Sequence, residues 1–413
     1  MGAGLSPLDD ELALLPGVLT PWLQESLVRL GTWLPFRRAA EELGRLLRAA
    51  GGVLVSESVA ARLTETAGAA LVAEQTAAVE RLERHPTPEP TGADVLQVSA
   101  DGAMISLVGK QWVEVKTVAL GQIIQEADGT VRARDLSYFS RRAEHTAFRR
   151  LALVETHRRG VGTAGTVVAI TDGAEWLQKF LDFHRSDAVR ILDFPHAVEY
   201  LTHASHEAFG AGTPATSAWL GTQAHALKHT GPDSVLAALR ALPPGEQRDT
   251  ALGYLTARLA QIEYPTFRAR GYPIGSGIVE SANKVVVQDR LKGSGMHWAP
   301  AHVDPMLALR TVVCADRWDE AWPLIAARLR ADARSRSRTL QADRRAARDA
   351  GQAPTSQVPT PPSETLPPPP ANAEPDPQPL PLPPKMVIHG RPTKLHPWNR
   401  RFLPHRPAAP AEN

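Results

Sequence analysis

Two aspartates occupy equivalent places in the sequence, each directly after a run of apolar residues. Asp101 follows VLQVSA, Asp172 follows TVVAIT, and both are followed by Gly-Ala. In a mainly parallel sheet the carboxyl ends of the strands face one crevice, so carboxylates distant in sequence converge there. Mg²⁺ prefers oxygen ligands and keeps waters that substrate phosphates can replace. The pair therefore indicates a divalent-metal site for phosphate chemistry.

Each aspartate also has a purely structural interpretation. An Asp-Gly pair between apolar runs is a strong signal for a tight hairpin turn, which would account for Asp101. Asp172 would serve as the N-cap of a helix that begins near Glu175. The matching positions of the two residues favour the functional interpretation.

A third acid lies in the segment GYPIGSGIVESANKVVVQDRLKGSGMHWAP, residues 271–300. The Gly-Ser-Gly break predicts a helix with Glu280 in its first turn and Lys284 one turn later on the same face. The alternative for Glu280 is a helix-dipole acid paired with Lys284. Cations and an aromatic side chain, which are groups that bind nucleic-acid backbones, follow this acid, and short clusters of this kind are also common by chance. With Lys284, the predicted DNA-binding residues are Arg290, Lys292, His297 and Trp298.

Asp193 and His196 follow the last predicted strand, in ILDFPHAVEYL. The two side chains suit a metal ion, and they equally suit a structural hydrogen bond between a strand-end aspartate and a nearby histidine. We expect a supporting role for this pair.

The elements that would position these acids are readable from residue 94 onwards. VLQVSA, WVEVKTVALGQII and RARDLSYFS predict three strands, and HTAFRRLALVETHRRG predicts a helix. GTVVAI and AVRIL, separated by the helical EWLQKFLDFHRS, are typical of parallel strands with a crossover helix. The predicted order is β-β-β-α-β-α-β, and residues 197–270 are predicted to be helical throughout.

The N-terminal part is predicted to be helical. FRRAAEELGRLLRAAG and SESVAARLTETAGAALVAEQ repeat apolar residues at three- and four-residue spacing, and GGVLVS joins them. A second helix opened by a Ser N-cap is compatible with a DNA-binding helix-turn-helix, and an ordinary helical pair matches it equally well. Residues 83–93 are a Pro-broken linker and mark a domain boundary.

The C-terminal part differs in composition. Residues 324–350 contain eight Arg and three Asp in a helix-favouring background, which predicts a solvated helix. Of the 36 prolines, 19 lie in residues 351–413, a composition typical of an extended, disordered tail. Its last cations would track a phosphate backbone, although disordered basic ends are often inert. They lie around Trp398 and are Lys394, His396, Arg400, Arg401 and Arg406.

Composition excludes several classes of protein. The 46 Lys and Arg against 44 Asp and Glu give a net charge of +2, so a histone-like binder is excluded. The single cysteine, Cys314, excludes an intramolecular disulfide and a zinc site built from several cysteines, and fits a reducing cytosol. Short apolar runs and an acidic N-terminus predict an unexported, cytoplasmic protein that does not bind membranes.

Four motifs together carry a resemblance to a known family. VSADGA, VVAITDGAEW, ILDFPHAVEYL and GSGIVESANKVVVQDRLKGSGMHW resemble bacterial insertion-sequence transposases of the ISKra type. These belong to the DDE group and are similar in layout to Mutator-like transposases. The resemblance covers roughly residues 35–325 and implies an α/β, ribonuclease H-like mixed sheet, with an all-helical insertion before the helix that carries the glutamate.

The resemblance assigns the acids residue by residue. Asp101 matches the first-strand aspartate, Asp172 the aspartate that ends the fourth strand, and Glu280 the helical glutamate. Asp193 and His196 resemble the Cys- or Asp-x-x-His pair after the fifth strand. Asp172 and Asp193 both remain possible as the second metal ligand; Asp172 is favoured because strand order puts it beside Asp101.

The resemblance also implies an activity. A DDE transposase binds the terminal inverted repeats of its element and catalyses DNA cleavage and strand transfer with two Mg²⁺ ions, for which Mn²⁺ can substitute. Asp101, Asp172 and Glu280 would hold the ions, and the partners would be double-stranded DNA and further copies of the chain in the end-paired complex. The first alternative is an inactive or domesticated transposase that acts as a DNA-binding regulator. The second alternative is an unrelated metal-dependent nuclease.

The predicted organisation has six parts. They are a helical, helix-turn-helix-like DNA-binding region (1–90), the first part of the catalytic core (91–196), the all-helical insertion (197–270), the second part of the core (271–325), an Arg-rich helix (326–350) and a Pro-rich, basic tail (351–413).

Overall fold

A mixed sheet forms the centre of the larger of the two units into which the chain divides, Met1–Asp349 and Ala350–Asn413. The computed structural model describes residues 14–17, 19–48, 55–293, 295–349, 387–388 and 391–392. The five described strands of the larger unit are β1 (Val95–Ser106), β2 (Trp112–Gln125), β3 (Val131–Arg141), β4 (Thr166–Thr171) and β5 (Val189–Leu192). Their spatial order is β3-β2-β1-β4-β5.

The central strand β1 joins two kinds of pairing. β2 pairs antiparallel with both β1 and β3. On its other side, β1 pairs parallel with β4, and β4 pairs parallel with β5. The predicted order β-β-β-α-β-α-β is confirmed, with the first of its helices divided into two.

Helices cover the sheet and extend beyond it. The described helices are α1 (Pro21–Trp33), α2 (Phe36–Arg48), α3 (Glu57–Arg84), α4 (His145–Leu151), α5 (Leu153–Arg158), α6 (Glu175–His184), α7 (Phe194–Phe209), α8 (Pro214–His229), α9 (Pro232–Arg240), α10 (Glu246–Thr256), α11 (Tyr264–Ala269), α12 (Gly277–Ala282), α13 (Asp289–Leu291), α14 (Pro300–Cys314) and α15 (Trp318–Asp349). A 3₁₀ turn spans Leu259–Gln261, and a π-helical segment, Asn283–Gln288, joins α12 to α13. The predicted helical segment 197–270 is confirmed.

Alternation along β1 sends its side chains to two different cores. Val98 and Ala100 belong to the core with α4 and α6, on one face of the sheet. Ala103 and Ile105 pack on the other face, against the helices from α12 to α14. Because the period of a strand is two residues, Asp101 lies on the face that α12 covers.

The first three helices share a core with the last two. Leu27, Leu43 and Leu63 are buried together with Leu309 and Ile325, which belong to α14 and α15. The Oγ of Ser56 accepts a hydrogen bond from the Val59 N–H at 3.4 Å, which confirms the predicted N-cap of α3. Residues 49–54, which include the first four residues of the predicted link GGVLVS, lie outside the described residues.

The smaller unit has two short strands among its described residues. β6 (Val387–Ile388) pairs antiparallel with β7 (Arg391–Pro392). The rest of the predicted Pro-rich tail, with the cations around Trp398, lies outside the described residues. None of the helices in the described ranges has the length and apolar composition needed to cross a membrane.

Candidate active site

The five predicted site residues from the two halves of the core line one cavity of about 210 Å³. These residues are Asp101, Asp172, Asp193, His196 and Glu280. The first lies within β1, the second directly follows β4, the third precedes α7, the fourth lies in its first turn, and the last lies in α12. The chain thus brings together side chains that are up to 179 positions apart (280 − 101).

The strand that carries Asp101 is longer than the sequence predicts. β1 continues to Ser106, with Asp101 paired to Thr117 and Gly102 paired to Lys116, so the tight-turn alternative for the Asp-Gly pair is wrong. β4 ends at Thr171, and the carboxylate of Asp101 therefore faces an opening where its neighbouring strand stops. A Cβ on Gly102 would come within 2.3 Å of Glu114, so the glycine accommodates a close cross-strand neighbour.

Two donors fix the Asp101 carboxylate. Its Oδ1 accepts a hydrogen bond from the Gly102 N–H at 2.7 Å, and its Oδ2 accepts one from Nδ2 of Asn283 at 2.9 Å. Burial raises the pKa of Asp101, and the negative charge of Asp172 raises it further. The two aspartates are therefore close enough to repel one another.

Two residues of the helical segment 197–270 bind the loop after β4. The Tyr254 hydroxyl donates to the main-chain carbonyl of Asp172, and Nη2 of Arg258 donates to the carbonyl of Gly173 at 3.0 Å. Oδ1 of Asp172 accepts from the Ala174 N–H at 2.9 Å. Burial raises the pKa of Tyr254 to about 12, so its hydroxyl stays protonated and able to donate.

Gly173 is required by this arrangement. Its φ is +80°, and a Cβ there would lie 2.6 Å from Nε of Arg258 and 2.8 Å from Oη of Tyr254. A side chain at this position is both strained and obstructed. Gly173, in the Asp-Gly pair after β4, thus allows close contact between the end of this strand and the helical segment 197–270.

Both carboxylate oxygens of Asp193 accept hydrogen bonds from the main chain. Its Oδ1 accepts from the Ser276 N–H at 2.7 Å, and its Oδ2 accepts from the main-chain N–H of His196 at 3.2 Å as the N-cap of α7. The side chain is 6% exposed. It therefore joins the end of β5 to the segment that leads into α12, and its bond to His196 goes to the backbone and not to the imidazole.

The imidazole of His196 lies on the aromatic side of the cavity. Its Nδ1 is 3.3 Å from Oε2 of Glu199, and its ring meets those of Tyr200 and Tyr254 edge-on. The two tyrosine rings stack with centroids 4.0 Å apart. His196 therefore connects the cavity to the residues that hold the Asp172 loop.

Glu280 lies at the exposed end of the cavity. Its Oε1 accepts a hydrogen bond from the Ser276 hydroxyl at 3.4 Å. Within the described residues Glu280 makes no ion pair with Lys284. The structural alternative, a helix-dipole acid paired with Lys284, therefore loses the ion pair that it requires. One turn further, the backbone changes from α to π geometry at Asn283, the residue that binds Asp101. π-Helical turns are frequent at functional sites.

The predicted DNA-binding residues differ in their exposure to solvent. Lys284, Lys292 and His297 are exposed, and Lys292 lines a neighbouring cavity that also contains Asp101 and Glu280. Nδ1 of His297 lies 2.8 Å from the Ser106 hydroxyl.

Arg290 and Trp298 lie inside the protein instead. Arg290 is 3% exposed, packs between the rings of Phe36 and Trp298, and donates from Nε to the carbonyl of Gly31 at 3.1 Å. Burial lowers its pKa to about 10. Trp298 is 7% exposed and bonds through its backbone to Ser106 and Val108. The structure gives both residues a part in holding α1, α2 and β1 together.

The carboxylate oxygens that line the cavity are of the kind that Mg²⁺ binds. Within the described residues, Oδ2 of Asp172 and Oε2 of Glu280 accept no hydrogen bond from protein, so both oxygens are available as ligands. The repulsion between Asp101 and Asp172 is of the kind that a cation relieves. In that same part of the chain, no three His, Cys, Asp or Glu residues are gathered as a ready-made metal cage. The oxygen-only set fits Mg²⁺, which keeps several waters and needs few protein ligands.

Sequence reasoning missed four residues of this site. Tyr254 and Arg258 lie in and just after α10, in a segment whose pattern predicts only helix, so no local signal marks them. Ser276 and Asn283 lie inside the Gly-Ser-Gly motif segment, and their proximity to Glu280 is the signal that could have found them.

No model of a known protein family matches the chain, and no curated protein matches it.

Proposed function

We propose that the chain is a DDE transposase that binds the inverted repeats of its element and catalyses metal-dependent DNA cleavage and strand transfer. The observation that carries the proposal is the convergence of Asp101, Asp172 and Glu280 on one cavity. They come from the central strand, from the end of the strand beside it, and from a helix that follows an all-helical insertion. The resemblance in the motifs around these residues supports the same function.

The proposal includes a ribonuclease H-like core. The strand order β3-β2-β1-β4-β5 supports it, with an antiparallel β2 and with β4 and β5 parallel to β1. In such a sheet the crevice lies where β1 and β4 are adjacent, because ligands bind beyond the carboxyl ends of parallel strands. The positions of Asp101 and Asp172 match that crevice.

Asp172 is the better second ligand. Within the described residues its Oδ2 accepts no hydrogen bond, and its charge acts on Asp101. Asp193 is 6% exposed, and both of its oxygens accept hydrogen bonds from main-chain N–H groups at the starts of α7 and α12. Asp101 also accepts two hydrogen bonds, but it is only half-buried and lines both cavities. Asp193 instead fixes the segment before α12, with help from Gln97, whose Nε2 donates to the Gly275 carbonyl at 3.4 Å. Asp193 thereby positions Glu280.

The three carboxylates have a defined part in the chemistry. Two Mg²⁺ ions, when bound, would activate the attacking water or 3′-hydroxyl and stabilise the leaving oxygen of the phosphodiester. Asp101, Asp172 and Glu280 would hold them through oxygens that the chain orients in advance: Asn283 orients Asp101, and Tyr254 orients the Asp172 loop. No side chain is needed as a covalent nucleophile.

The neighbouring cavity gives the DNA backbone a path. Lys292 is exposed there, and the cavity that it lines also contains Asp101 and Glu280. A phosphate next to the scissile one would meet this ammonium group, which is a phosphate ligand by charge.

A cleavage assay tests the function. Full-length protein would be incubated with labelled DNA that carries the inverted repeats flanking its own reading frame, in Mg²⁺ or in EDTA. The expected result is strand cuts at the repeat ends that require Mg²⁺ and are lost in Glu280→Gln. Glu246→Gln, an exposed acid in the insertion, is the matched control and should cut like the wild type.

Other outcomes would overturn the proposal. Specific binding of the repeats without cuts in Mg²⁺ or Mn²⁺ would indicate a DNA-binding regulator. Cuts without preference for the repeats would indicate a different metal-dependent nuclease.

A further inference from the structure

The last helix of the larger unit has a buried half and an exposed half. From Trp318 to Leu329, α15 packs with Trp318, Trp322 and Ile325 into the core of the N-terminal helices. Beyond Leu329 no residue of α15 that the structure describes is buried. The helix continues to Asp349, so about 30 Å of it (20 residues at 1.5 Å each) extends past the core.

The arginines of the exposed half are not distributed around the helix. At 100° per residue, six of them fall within an arc of about 120°. We name them the arginine stripe: Arg330, Arg334, Arg338, Arg344, Arg345 and Arg348. Asp332 and Asp343 lie on the opposite side of the helix, as does Arg336.

The arginine stripe faces away from the core. The buried residues Trp318, Ile325 and Leu329 are centred roughly 140° from it on the same helix. Arg338, Arg344, Arg345 and Arg348 are exposed, and within the described residues none of these four makes an ion pair. Arg328, by contrast, is paired with Glu74 and Asp332 and lies outside the stripe.

The other residues on this arc indicate the class of partner. Between Arg330 and Arg348 they are Ser337 and Gln341, so the arc contains no acid, no aromatic and no aliphatic side chain. A protein interface has an apolar centre, a membrane-surface helix has an apolar face, and a single-strand binder has stacking aromatics. Arg, Ser and Gln side chains are the groups that contact the phosphates of duplex DNA.

We infer that the arginine stripe binds the phosphate backbone of double-stranded DNA. The inference rests on the proposed function, since it adds a DNA-contacting surface to that enzyme. The stripe spans about 27 Å from Arg330 to Arg348, the axial length of about eight base pairs. A rigid helix of this length, anchored by Trp318 and Trp322, would hold a flank of the DNA in fixed register with the protein.

Affinity measured against salt tests the stripe. The full chain would be titrated, in EDTA, onto a fluorescent duplex carrying the terminal repeat, at several salt concentrations. The triple variant Arg330→Gln/Arg338→Gln/Arg345→Gln removes three stripe charges and keeps helix-favouring side chains. We expect affinity to fall at least about 10-fold near 100 mM salt, and the slope of log K against log salt to fall by about 2 to 3.

The matched control is a pair of single variants. Arg338→Gln removes a charge from the stripe, and Arg336→Gln removes one from the opposite side two residues earlier. The first should weaken binding and reduce the salt slope by about 1, and the second should do neither. Both change one exposed side chain, so this pair decides the matter if the triple variant folds poorly by circular dichroism.

Three results would overturn the inference. Binding by the triple variant within twofold of the wild type, at the same slope, shows that the stripe is not a DNA surface while the proposed function stands. Equal effects of Arg336→Gln and Arg338→Gln show that only net charge matters. Failure of the wild-type chain to bind any duplex removes the proposed function, and the stripe's role with it.

Discussion

Tyr254 donates a hydrogen bond from its hydroxyl to the main-chain carbonyl of Asp172, a residue 82 positions earlier in the sequence. The donor belongs to α10, in the helical segment 197–270, and the acceptor belongs to the loop after β4. This bond and that of Arg258 to Gly173 fix the turn from which the Asp172 carboxylate projects. The helical segment 197–270 therefore takes part in building the candidate site.

Removal of the Tyr254 hydroxyl should slow cleavage without weakening DNA binding. Tyr254→Phe keeps the ring that stacks on Tyr200 and loses one hydrogen bond of about 1 kcal/mol. If that energy serves to orient Asp172, kcat falls about 5- to 10-fold. Single-turnover cleavage and a duplex-binding titration would be compared with Tyr272→Phe, which removes a hydroxyl that makes no hydrogen bond to this loop within the described residues. Equal rates for the two variants would contradict the positioning role.

A methyl group on Gly173 should damage the same turn. Gly173→Ala combines a positive φ with contacts of 2.6 and 2.8 Å to Arg258 and Tyr254. Gly212→Ala is the matched control, because Gly212 has a φ of +73° and open space around it. We expect both to lose about 1 kcal/mol of unfolding free energy from backbone strain. Gly173→Ala should lose more, together with at least about 10-fold in cleavage rate; cleavage that falls equally in both variants would contradict the clash.

The roles of Asp172 and Asp193 should be distinguishable when the unfolding free energy and the cleavage rate are both measured for variants of each residue. Asp193→Ala deprives one buried and one half-buried main-chain N–H group of their acceptor and should cost about 2 kcal/mol of unfolding free energy. Asp172→Asn should leave stability within about 0.5 kcal/mol and abolish cleavage. Denaturant unfolding and strand cleavage on both variants would check this; loss of stability in Asp172→Asn with retained cleavage would reverse the two assignments.

His184 should make the fold sensitive to mild acid. Burial lowers its pKa from 6.5 to about 4, and its Nε2 donates to the Arg149 carbonyl while its Nδ1 faces the Thr156 hydroxyl. The unfolded chain binds the proton more readily, so stability is fully present above pH 6.5 and is lost as the pH falls toward 4. The loss approaches about 3 kcal/mol at the lower limit.

Denaturant unfolding between pH 7 and pH 4.5 would measure this dependence. His184→Gln keeps a donor toward Arg149 and cannot titrate, so its stability should fall less steeply than that of the wild type. The same slope in both proteins would show that other groups cause the acid sensitivity.

The sequence predicts the strands and the identity of the acids because both have local signals. Apolar runs mark β1, β4 and β5, and the DGA motifs mark Asp101 and Asp172. The end of β1 was not predictable in this way, since Asp-Gly also favours a turn, and only pairing with β2 carries the strand on to Ser106. The alternation of side chains along β1 predicts that Asp101 faces α12 only when the full length of this strand is known.

Contacts between distant segments were beyond the sequence. The spacing of Arg290 and Trp298 after Glu280 predicts a nucleic-acid surface, yet both side chains pack against Phe36 from the N-terminal part. A buried arginine and an exposed one look alike in a local pattern. The role of Tyr254 could not be predicted for a related reason. Its hydrogen-bond partner is a main-chain carbonyl, which no sequence pattern reveals.

The central claim is that Asp101, Asp172 and Glu280 act as one metal-dependent site on DNA. Cleavage time courses at the element's own repeat ends, in Mg²⁺, would compare Asp101→Asn, Asp172→Asn and Glu280→Gln with Asp193→Asn. We predict that each of the first three lowers the rate at least about 10³-fold, since each removes a ligand charge, while Asp193→Asn stays within about 10-fold of the wild type. A rate within 10-fold of the wild type for any of the first three would contradict the claim.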